Sequence, residues 1–268
     1  MVKRVRTALR LARVAQHLAY GLFVAAAVFP FVSQTSRRSF QQHWSQCLLA
    51  ILEVRLAVAG RDCNNGLVVS NHISWLDVFV ISSIAPASFV CKSEVRNWPL
   101  VGLLCAKTDT VFLERGSRSA AHRVSQNLAG KLRSGERVAV FPEGTTSEGH
   151  SLLPFRGALL QSAIAAGSLV QPLALRYLDA QGMKATAASF CGETTLWQSL
   201  CAIASSPGLI ASIEMLETIP AADRTRKELC HKAHALISSC LERPFPTLNP
   251  EGTAFAAHQD ERTLRPAI

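Results

Sequence analysis

After its first 52 residues, the chain alternates between strand-like and helix-like patterns. Short apolar runs typical of β-strands cover 54–58, 66–70, 87–92, 109–113, 137–141, 169–177 and 209–216. Helical patterns lie near 75–85, 94–105, 117–133, 157–166, 196–204 and 223–243. This alternation predicts an α/β fold with a largely parallel sheet flanked by helices on both faces. In such sheets, ligands bind in the loops at the carboxyl ends of the strands.

The first 52 residues combine a basic helical pattern with an apolar one. One stripe carries Lys3, Arg6, Arg10, Arg13 and His17, a pattern typical of a helix on an anionic membrane surface. The apolar stretch 18–32 is short for a bilayer span, and Pro30 would kink or end its helix. A second amphipathic helix follows in FQQHWSQCLLAIL. With a joint near Ser33–Arg38, the two helices predict a hairpin that docks on a membrane.

Residues 1–52 allow two other interpretations. A secretory signal peptide fits poorly, because no small-x-small cleavage site follows Pro30 and Arg37 and Arg38 come instead. Both helices could also pack on the rest of the protein as ordinary core helices. Basic residues on both sides of 18–32 favour the cytoplasmic face of the inner membrane. The predicted division is a docking segment 1–52, an α/β domain 53–243 and a loosely ordered tail 244–268.

The distribution of charge argues against a nucleic-acid partner. The net charge is +9, but residues 1–52 hold seven basic side chains and no acidic one. The other 216 residues therefore carry 21 basic and 19 acidic side chains, which is nearly balanced. With 49% hydrophobic and 18% charged residues, the composition favours contact with a membrane. The eight cysteines form no C-x-x-C pair and are expected to be reduced, mostly buried residues.

A histidine and an aspartate follow the second predicted strand, in NHISWLD at 71–77. His72 would lie in the turn, where a general base needs a partner that fixes its tautomer. Asp77, in the first turn of the next helix, could accept a hydrogen bond from the other ring nitrogen, while Ser74 could cap that helix. The alternative is a structural loop histidine beside a capping aspartate.

Three more segments have unusual chemistry, two of them at strand exits. FLER at 112–115 places Arg115 where its guanidinium can bind a phosphate or a carboxylate. FPEGTTS at 141–147 is a loop of glycine and hydroxyl residues, suited to anion binding by backbone N–H groups. VQP at 170–172 puts Pro172 in a strand, which predicts an edge position or a bulge. The sequence has no serine nucleophile elbow and no P-loop motif. It also has no clustered metal ligands, so no metal is expected.

The order and spacing of these four segments resemble those of the glycerolipid acyltransferase family, which makes phosphatidic acid from lysophosphatidic acid. The resemblance spans about half of the chain, and the N-terminal helices are similar to a docking appendage of bacterial members. It implies a glycerolipid acyltransferase fold and an enzyme without cofactors. The acyl chain would pass from a thioester on coenzyme A or acyl carrier protein to the hydroxyl of a lysolipid at the membrane.

The resemblance also implies roles for individual residues. His72 would be the general base and Asp77 the residue that orients it. Backbone N–H groups near Gly144 would stabilise the oxyanion. Five residues would contact the polar head of the acceptor: Phe112, Arg115, Glu143, Gly144 and Thr145. Pro172 matches the fourth segment of the family pattern. A membrane-binding protein without catalysis, the non-enzyme alternative, would have no reason to place such side chains at strand exits.

The head group of the acceptor is the open point. The larger set of shared positions favours 1-acyl-sn-glycerol-3-phosphate as the acceptor. Members that use it commonly have a basic residue where this chain has Thr146, although Arg156 lies downstream as a possible substitute. FPEGTTS followed by LLPFR is similar to the bacterial branch that acylates lyso-ornithine lipid, which is therefore the alternative acceptor.

Overall fold

The fold is taken from a computed structural model that describes residues 2–98, 101–114, 116–149 and 151–244. The longer helices are α1 (Val2–Ala27), α2 (Gln34–Ile51), α3 (Asp77–Ile84), α4 (Val101–Lys107), α5 (Arg118–Arg133), α6 (Gln161–Ala166), α7 (Leu196–Ser205) and α8 (Arg226–Glu242). The strands are β1 (Val54–Gly60), β2 (Gly66–Ser70), β3 (Ser88–Lys92), β4 (Val111–Leu113), β5 (Arg137–Val140), β6 (Leu169–Leu178), β7 (Leu209–Met215) and β8 (Ile219–Pro220). Short 3₁₀ turns lie at Phe29–Phe31, Ser93–Asn97, Gly157–Leu160 and Thr186–Ala188.

The strands form one mixed sheet in the order β1-β7-β6-β2-β5-β3-β4, with β8 beside β6. All pairs are parallel except those of β6 with β7 and β8, which are antiparallel. The carboxyl ends of β6, β2, β5, β3 and β4 therefore meet at one edge. The prediction of a largely parallel α/β sheet is confirmed. The short strand β8 was not predicted from the sequence.

Helices cover both faces of the sheet. Along β2, Val68 points into a core shared with α1, α2, α3 and α7, whereas Leu67 and Val69 point into a core shared with α5, α6 and α8. Because β2 is covered on both sides, it is apolar at successive positions instead of alternating. Burial on both faces fixes the register of β2 and thus the position of the loop that follows it.

The N-terminal helices form a hairpin that packs on the sheet. α1 ends at Ala27 and Pro30 lies in the following 3₁₀ turn, as the proline predicts. α2 begins at Gln34, after the N-cap Ser33, because the Ser33 side chain accepts a hydrogen bond from the Ser36 backbone N–H. The connection therefore lies at 28–33, and the prediction of a joint near Ser33–Arg38 was wrong.

Part of the basic stripe of α1 faces the protein. Arg10 is buried, donates hydrogen bonds to the carbonyls of Ala204 (3.0 Å) and Ser206 (2.8 Å), and pairs with Glu53. His17 stacks on Trp44 with ring centroids 4.8 Å apart. The expectation that this stripe as a whole lies on a membrane was wrong, because Arg10 and His17 bind carbonyls and rings of the body.

Pro172 lies inside the sheet and not at its edge. β6 has β2 on one side and β7 with β8 on the other. The Pro172 carbonyl accepts from the Leu216 backbone N–H (3.0 Å), just after β7 ends. Its nitrogen, which has no hydrogen, faces the same junction between β7 and β8. The prediction of an edge position was wrong, because β6 has partner strands on both sides. The missing N–H donor of Pro172 is accommodated at the break between β7 and β8.

Candidate functional site

The candidate site begins where β2 ends, and Asn71 fixes the direction of the chain there. The Asn71 side chain accepts from the Leu175 backbone N–H (2.8 Å) and donates to the Leu175 carbonyl (2.9 Å). This amide continues the pairing between β2 and β6 for one more position after the backbone has turned away. The following residue, His72, is thereby held at the carboxyl edge of the sheet.

Asp77 binds the loop of His72 through a fully buried carboxylate. Its Oδ2 accepts from His72 Nδ1 (2.8 Å) and from the backbone N–H groups of Ile73 (2.7 Å) and Ser74 (3.0 Å). Its Oδ1 accepts from the Tyr177 hydroxyl (2.7 Å). Four donors compensate the cost of burying this charge. Asp77 lies at the start of α3, as predicted, and its carboxylate binds two backbone N–H groups of the preceding loop.

The remaining ring nitrogen of His72 is the one available for chemistry. A carboxylate at Asp77 only accepts, so Nδ1 carries the hydrogen and Nε2 keeps a lone pair. The His72 ring stacks on Phe141, with centroids 4.0 Å apart and planes 11° apart. The side chain is 20% exposed. An oriented, partly exposed imidazole whose Nε2 has no hydrogen-bond partner among the described residues can act as a general base.

The 141–149 loop packs against the His72 loop. Glu143 is buried, and its carboxylate accepts from the backbone N–H groups of His72 (2.7 Å) and Leu153 (3.0 Å). Burial raises the pKa of Glu143, while the two N–H donors act in the opposite direction. Ser147 donates its backbone N–H to the His72 carbonyl (2.9 Å). Glu143 thus positions His72, and its direct contact with a substrate head group stays a prediction.

Gly144 closes a tight turn in this loop. Its φ of +72° lies in the left-handed region, and its N–H donates to the Phe141 carbonyl (3.0 Å). The Gly144 N–H is therefore engaged in the turn. Thr145, next in the loop, is exposed. The Thr146 hydroxyl donates to the carbonyl of Phe190 and points into the protein.

The other predicted site residues are spread along the edge of the sheet. Phe112 lies on β4, three strands from β2, and is half-buried. Pro172 is buried in β6 beside Val69. Arg115 lies outside the described residues. The structure thus brings His72, Asp77 and Glu143 together and places Phe112 at the far end of the edge.

Sequence reasoning missed Tyr177 and misassigned Ser74. Burial and the charge of Asp77 both raise the pKa of the Tyr177 hydroxyl well above its ordinary value, so this group acts as a hydrogen-bond donor. A tyrosine at the end of a buried strand was the available signal, but its distance of 100 residues from Asp77 hid the contact. Ser74 does not cap α3, whose N-cap is Leu76. Within the described residues, no group of three or more His, Cys, Asp or Glu side chains is placed to hold a metal.

The chain is similar in sequence to known acyltransferases. The family model "Acyltransferase" matches residues 55–176. A lyso-ornithine lipid O-acyltransferase of Pseudomonas aeruginosa is 36% identical over 95% of this chain and 99% of its own length. A 1-acyl-sn-glycerol-3-phosphate acyltransferase of Neisseria meningitidis is 40% identical over 56% of this chain and 62% of its own length.

A solved structure supports the fold. The 1-acyl-sn-glycerophosphate (LPA) acyltransferase of Thermotoga maritima superposes with a TM-score of 0.59 at 21% identity, covering 87% of this chain and 96% of that one. At this identity the match speaks for the fold alone. Since the similarity to the Pseudomonas protein extends over nearly the whole of both chains, the protein belongs to the glycerolipid acyltransferase family and is an enzyme that acylates lysolipids.

Proposed function

We propose that the protein is a membrane-associated O-acyltransferase that transfers an acyl chain from a thioester, on coenzyme A or acyl carrier protein, to the hydroxyl of lyso-ornithine lipid. The observation that carries the reaction class is the His72–Asp77 pair, in which His72 Nδ1 lies 2.8 Å from Asp77 Oδ2 and the His72 side chain is partly exposed. The assignment of the acceptor rests on the 141–149 loop and on the full-length similarity to the Pseudomonas enzyme.

In the proposed reaction, His72 Nε2 takes the proton of the acceptor hydroxyl as its oxygen attacks the thioester carbonyl. The carbon–sulfur bond then breaks, and the proton passes from Nε2 to the departing sulfur, giving an ester and a free thiol. Asp77 stabilises the imidazolium that exists between these steps. General-base catalysis of this kind contributes about 10²- to 10⁴-fold to a rate.

Thr146 supports an acceptor without a phosphate. A basic side chain at this position would put a charge next to the His72 loop, but the Thr146 hydroxyl is bound to the Phe190 carbonyl and offers none. Lyso-ornithine lipid has a carboxylate and an amine on its head group, so it needs less positive charge than a phosphate does. The similarity to the Pseudomonas enzyme covers 95% of this chain and 99% of that enzyme, in agreement with this acceptor.

A second acceptor, 1-acyl-sn-glycerol-3-phosphate, is favoured by Arg156. Its guanidinium lies beside the 141–149 loop, within 4 Å of the position that a Cβ on Gly144 would take. An arginine there can bind a phosphate near the reacting hydroxyl. The Neisseria enzyme, named for this acceptor, shares 40% identity over 157 residues.

The outer face of α1 supports membrane association. Leu9, Tyr20 and Phe23 are 60%, 56% and 65% exposed on this face, and Phe31 in the following turn is 86% exposed. α1 belongs to the one helical segment of the described residues that is long and apolar enough to cross a membrane, Lys3–Phe31, with mean hydropathy 1.5. Its opposite face packs on the protein body through Arg10 and Val14. We therefore propose that α1 lies flat on the cytoplasmic surface of the inner membrane, with its outer face in the lipid.

The reaction is tested with purified protein, an acyl thioester and both lysolipids, offered separately. We expect ester formation by the natural chain, little by His72→Ala, and undiminished activity in His231→Ala, which removes an exposed histidine from α8. Thermal unfolding of His72→Ala checks that it is folded. Near-normal turnover by folded His72→Ala would contradict the mechanism.

The same assay tests the acceptor. We expect a higher kcat/KM for lyso-ornithine lipid, and Thr146→Arg should raise the relative kcat/KM for the phosphate lipid by about ten-fold, the effect of one charge-assisted hydrogen bond. A preference of the natural chain for 1-acyl-sn-glycerol-3-phosphate would replace our assignment with the second acceptor. An unchanged ratio in Thr146→Arg would remove the 141–149 loop from the explanation.

A further inference from the structure

A cleft with two arginines opens at the β4 end of the edge that carries His72. It encloses about 230 Å³ and is lined by Ser93, Arg96, Phe112, Glu114, Ala120, Arg123 and Val124. Ser93 and Arg96 follow β3, Phe112 and Glu114 end β4, and the rest lie in the first turns of α5. The cleft is thus built from the carboxyl ends of two strands and the start of a helix, a favourable place for an anion.

The two guanidinium groups of the cleft are available to a ligand. Arg96 lies over the Phe112 ring, 4.5 Å from its centroid, which keeps this side chain at the β4 end. Arg123 is exposed on α5. Within the described part of the chain, neither guanidinium makes a hydrogen bond or an ion pair with another side chain. Among the described residues that line the cleft, two are arginines and one, Glu114, is acidic, so their net charge is positive.

The sheet sets the distance from this cleft to the proposed base. β2, β5, β3 and β4 are consecutive parallel strands, and His72 follows the first while Phe112 lies on the last. Three spacings of about 4.8 Å separate the backbones of β2 and β4 by roughly 14 Å, and because the His72 ring stacks on Phe141, directly after β5, about two spacings or roughly 10 Å remain from the base to β4. A ligand group in the cleft must therefore belong to a molecule that reaches this far from the bond that breaks.

The acceptor head group is too close to its own hydroxyl to reach the cleft. In 1-acyl-sn-glycerol-3-phosphate, about four bonds separate the phosphorus from the hydroxyl oxygen, or about 5 Å at the usual length of an extended chain. In lyso-ornithine lipid, about six bonds separate the carboxylate carbon from the hydroxyl oxygen, or about 7 Å. The acyl donor is longer: about thirteen bonds join its sulfur to the phosphorus at the end of the pantetheine arm, or about 15 Å.

We propose that the cleft between Arg96 and Arg123 binds the phosphate at the end of the donor's pantetheine arm. This proposal rests on the proposed function, because it takes the thioester donor as given. Coenzyme A and the prosthetic group of acyl carrier protein share this phosphate. Arg96 and Arg123 donate to its oxygens, and the arm runs along the edge of the sheet past β3 and β5, with its sulfur at His72. The Phe112 ring packs under the Arg96 guanidinium and supports it.

The test compares donors that differ in this phosphate. Acyl-coenzyme A, acyl-carrier protein and acyl-pantetheine, which has no phosphate, are offered with the same lysolipid to the natural chain, Arg96→Gln, Arg123→Gln and the double variant. Arg55→Gln is the matched control, because it removes an exposed arginine from β1 at the other end of the sheet. The KM for each substrate is measured at saturating concentrations of the other.

We expect the KM for acyl-coenzyme A to rise about ten-fold or more in each cleft variant, the effect of losing one charge-assisted contact, and further in the double variant. Acyl-pantetheine should be used equally by all the variants, and the KM for the lysolipid should not change. A parallel rise for acyl-carrier protein would identify the shared phosphate as the ligand, and a rise for acyl-coenzyme A alone would identify coenzyme A as its source.

Two results would overturn the proposal. An equal loss with acyl-pantetheine would mean that the arginines do not act through a phosphate. A rise in the KM for the lysolipid, with that for the donor unchanged, would make the cleft part of the acceptor site. Calorimetric binding of free coenzyme A, compared between the natural chain and the double variant, tests the cleft even if no acyl transfer is found, so the failure of the two proposals can be distinguished.

Discussion

The substitution Asp77→Asn separates the charge of Asp77 from its geometry. The amide is nearly the same size as the carboxylate, but it has one oxygen and one NH₂ group. Two backbone N–H groups, of Ile73 and Ser74, point at the Oδ2 position and cannot turn away. The amide oxygen must therefore take the Oδ2 position, where it also accepts from His72 Nδ1, and the tautomer of His72 is kept.

The size of the effect follows from this orientation. The Asp77→Asn variant loses the charge that stabilises the imidazolium, and a hydrogen bond to a charged group is worth about 1.5–3 kcal/mol. At about 1.4 kcal/mol per factor of ten, kcat should fall about 10- to 150-fold. A reversed amide would hold His72 in the wrong tautomer, which costs about 10⁴-fold in a Ser-His-Asp triad.

Tyr177 provides an independent check on this orientation. In Asp77→Asn the NH₂ group faces the Tyr177 hydroxyl, which then loses its buried acceptor. Tyr177→Phe should therefore reduce the free energy of unfolding by about 1.5–3 kcal/mol in the natural chain, and by less in the Asp77→Asn background. The assays are single-turnover acyl transfer and urea unfolding. A loss of 10⁴-fold or more in folded Asp77→Asn, or additive effects of the two substitutions, would refute the orientation.

Three further predictions follow from contacts outside the His72–Asp77 pair. Arg10→Gln should lower the free energy of unfolding by about 3 kcal/mol, because two buried carbonyls lose a charged donor. The control Arg13→Gln, at an exposed position, should change it by less than about 0.5 kcal/mol. Urea unfolding measures both variants. The raised pKa of Glu143 means that the folded state binds the carboxyl proton more tightly than the unfolded state does. The stability that this proton contributes is therefore lost as the pH rises above about 4.5. Glu143→Gln should lack this loss when the free energy of unfolding is compared at pH 4.5 and 7.5. Serine at both Phe23 and Phe31 should weaken sedimentation with anionic vesicles without changing the free energy of unfolding, and unchanged sedimentation would rule out this face as the docking surface.

The sequence was informative wherever the structure depends on residues close together in the chain. The apolar runs located seven of the strands, because β2 and β5 are buried on both faces and leave continuous apolar segments. The pair His72 and Asp77 was predictable because a turn and the first turn of a helix bring positions five apart together. Both inferences depended on neighbours along the chain.

What the sequence could not provide were contacts between distant segments. Helical spacing places Arg10 and His17 on one stripe, but only the position of α7 and Trp44 decides that this stripe faces inward. Likewise, the neighbours of β6 explain Pro172, and the fold alone brings Tyr177 to Asp77. The domain division and the roles assigned to individual site residues stay predictions.

The shared core of α1, α2 and the sheet has a consequence for synthesis. Leu48 and Leu49 of α2 pack with Ile203 and Ile213, and Arg10 is bound by a carbonyl 196 residues later in the chain. On the ribosome, the two helices therefore emerge long before the segments that cover their inner faces. We expect the bilayer to be their first partner, so that the nascent chain reaches the membrane before its tertiary structure closes. Trimming residues 1–52 would remove the side chains of α1 and α2 that complete this core, and should therefore destabilise the remainder of the protein.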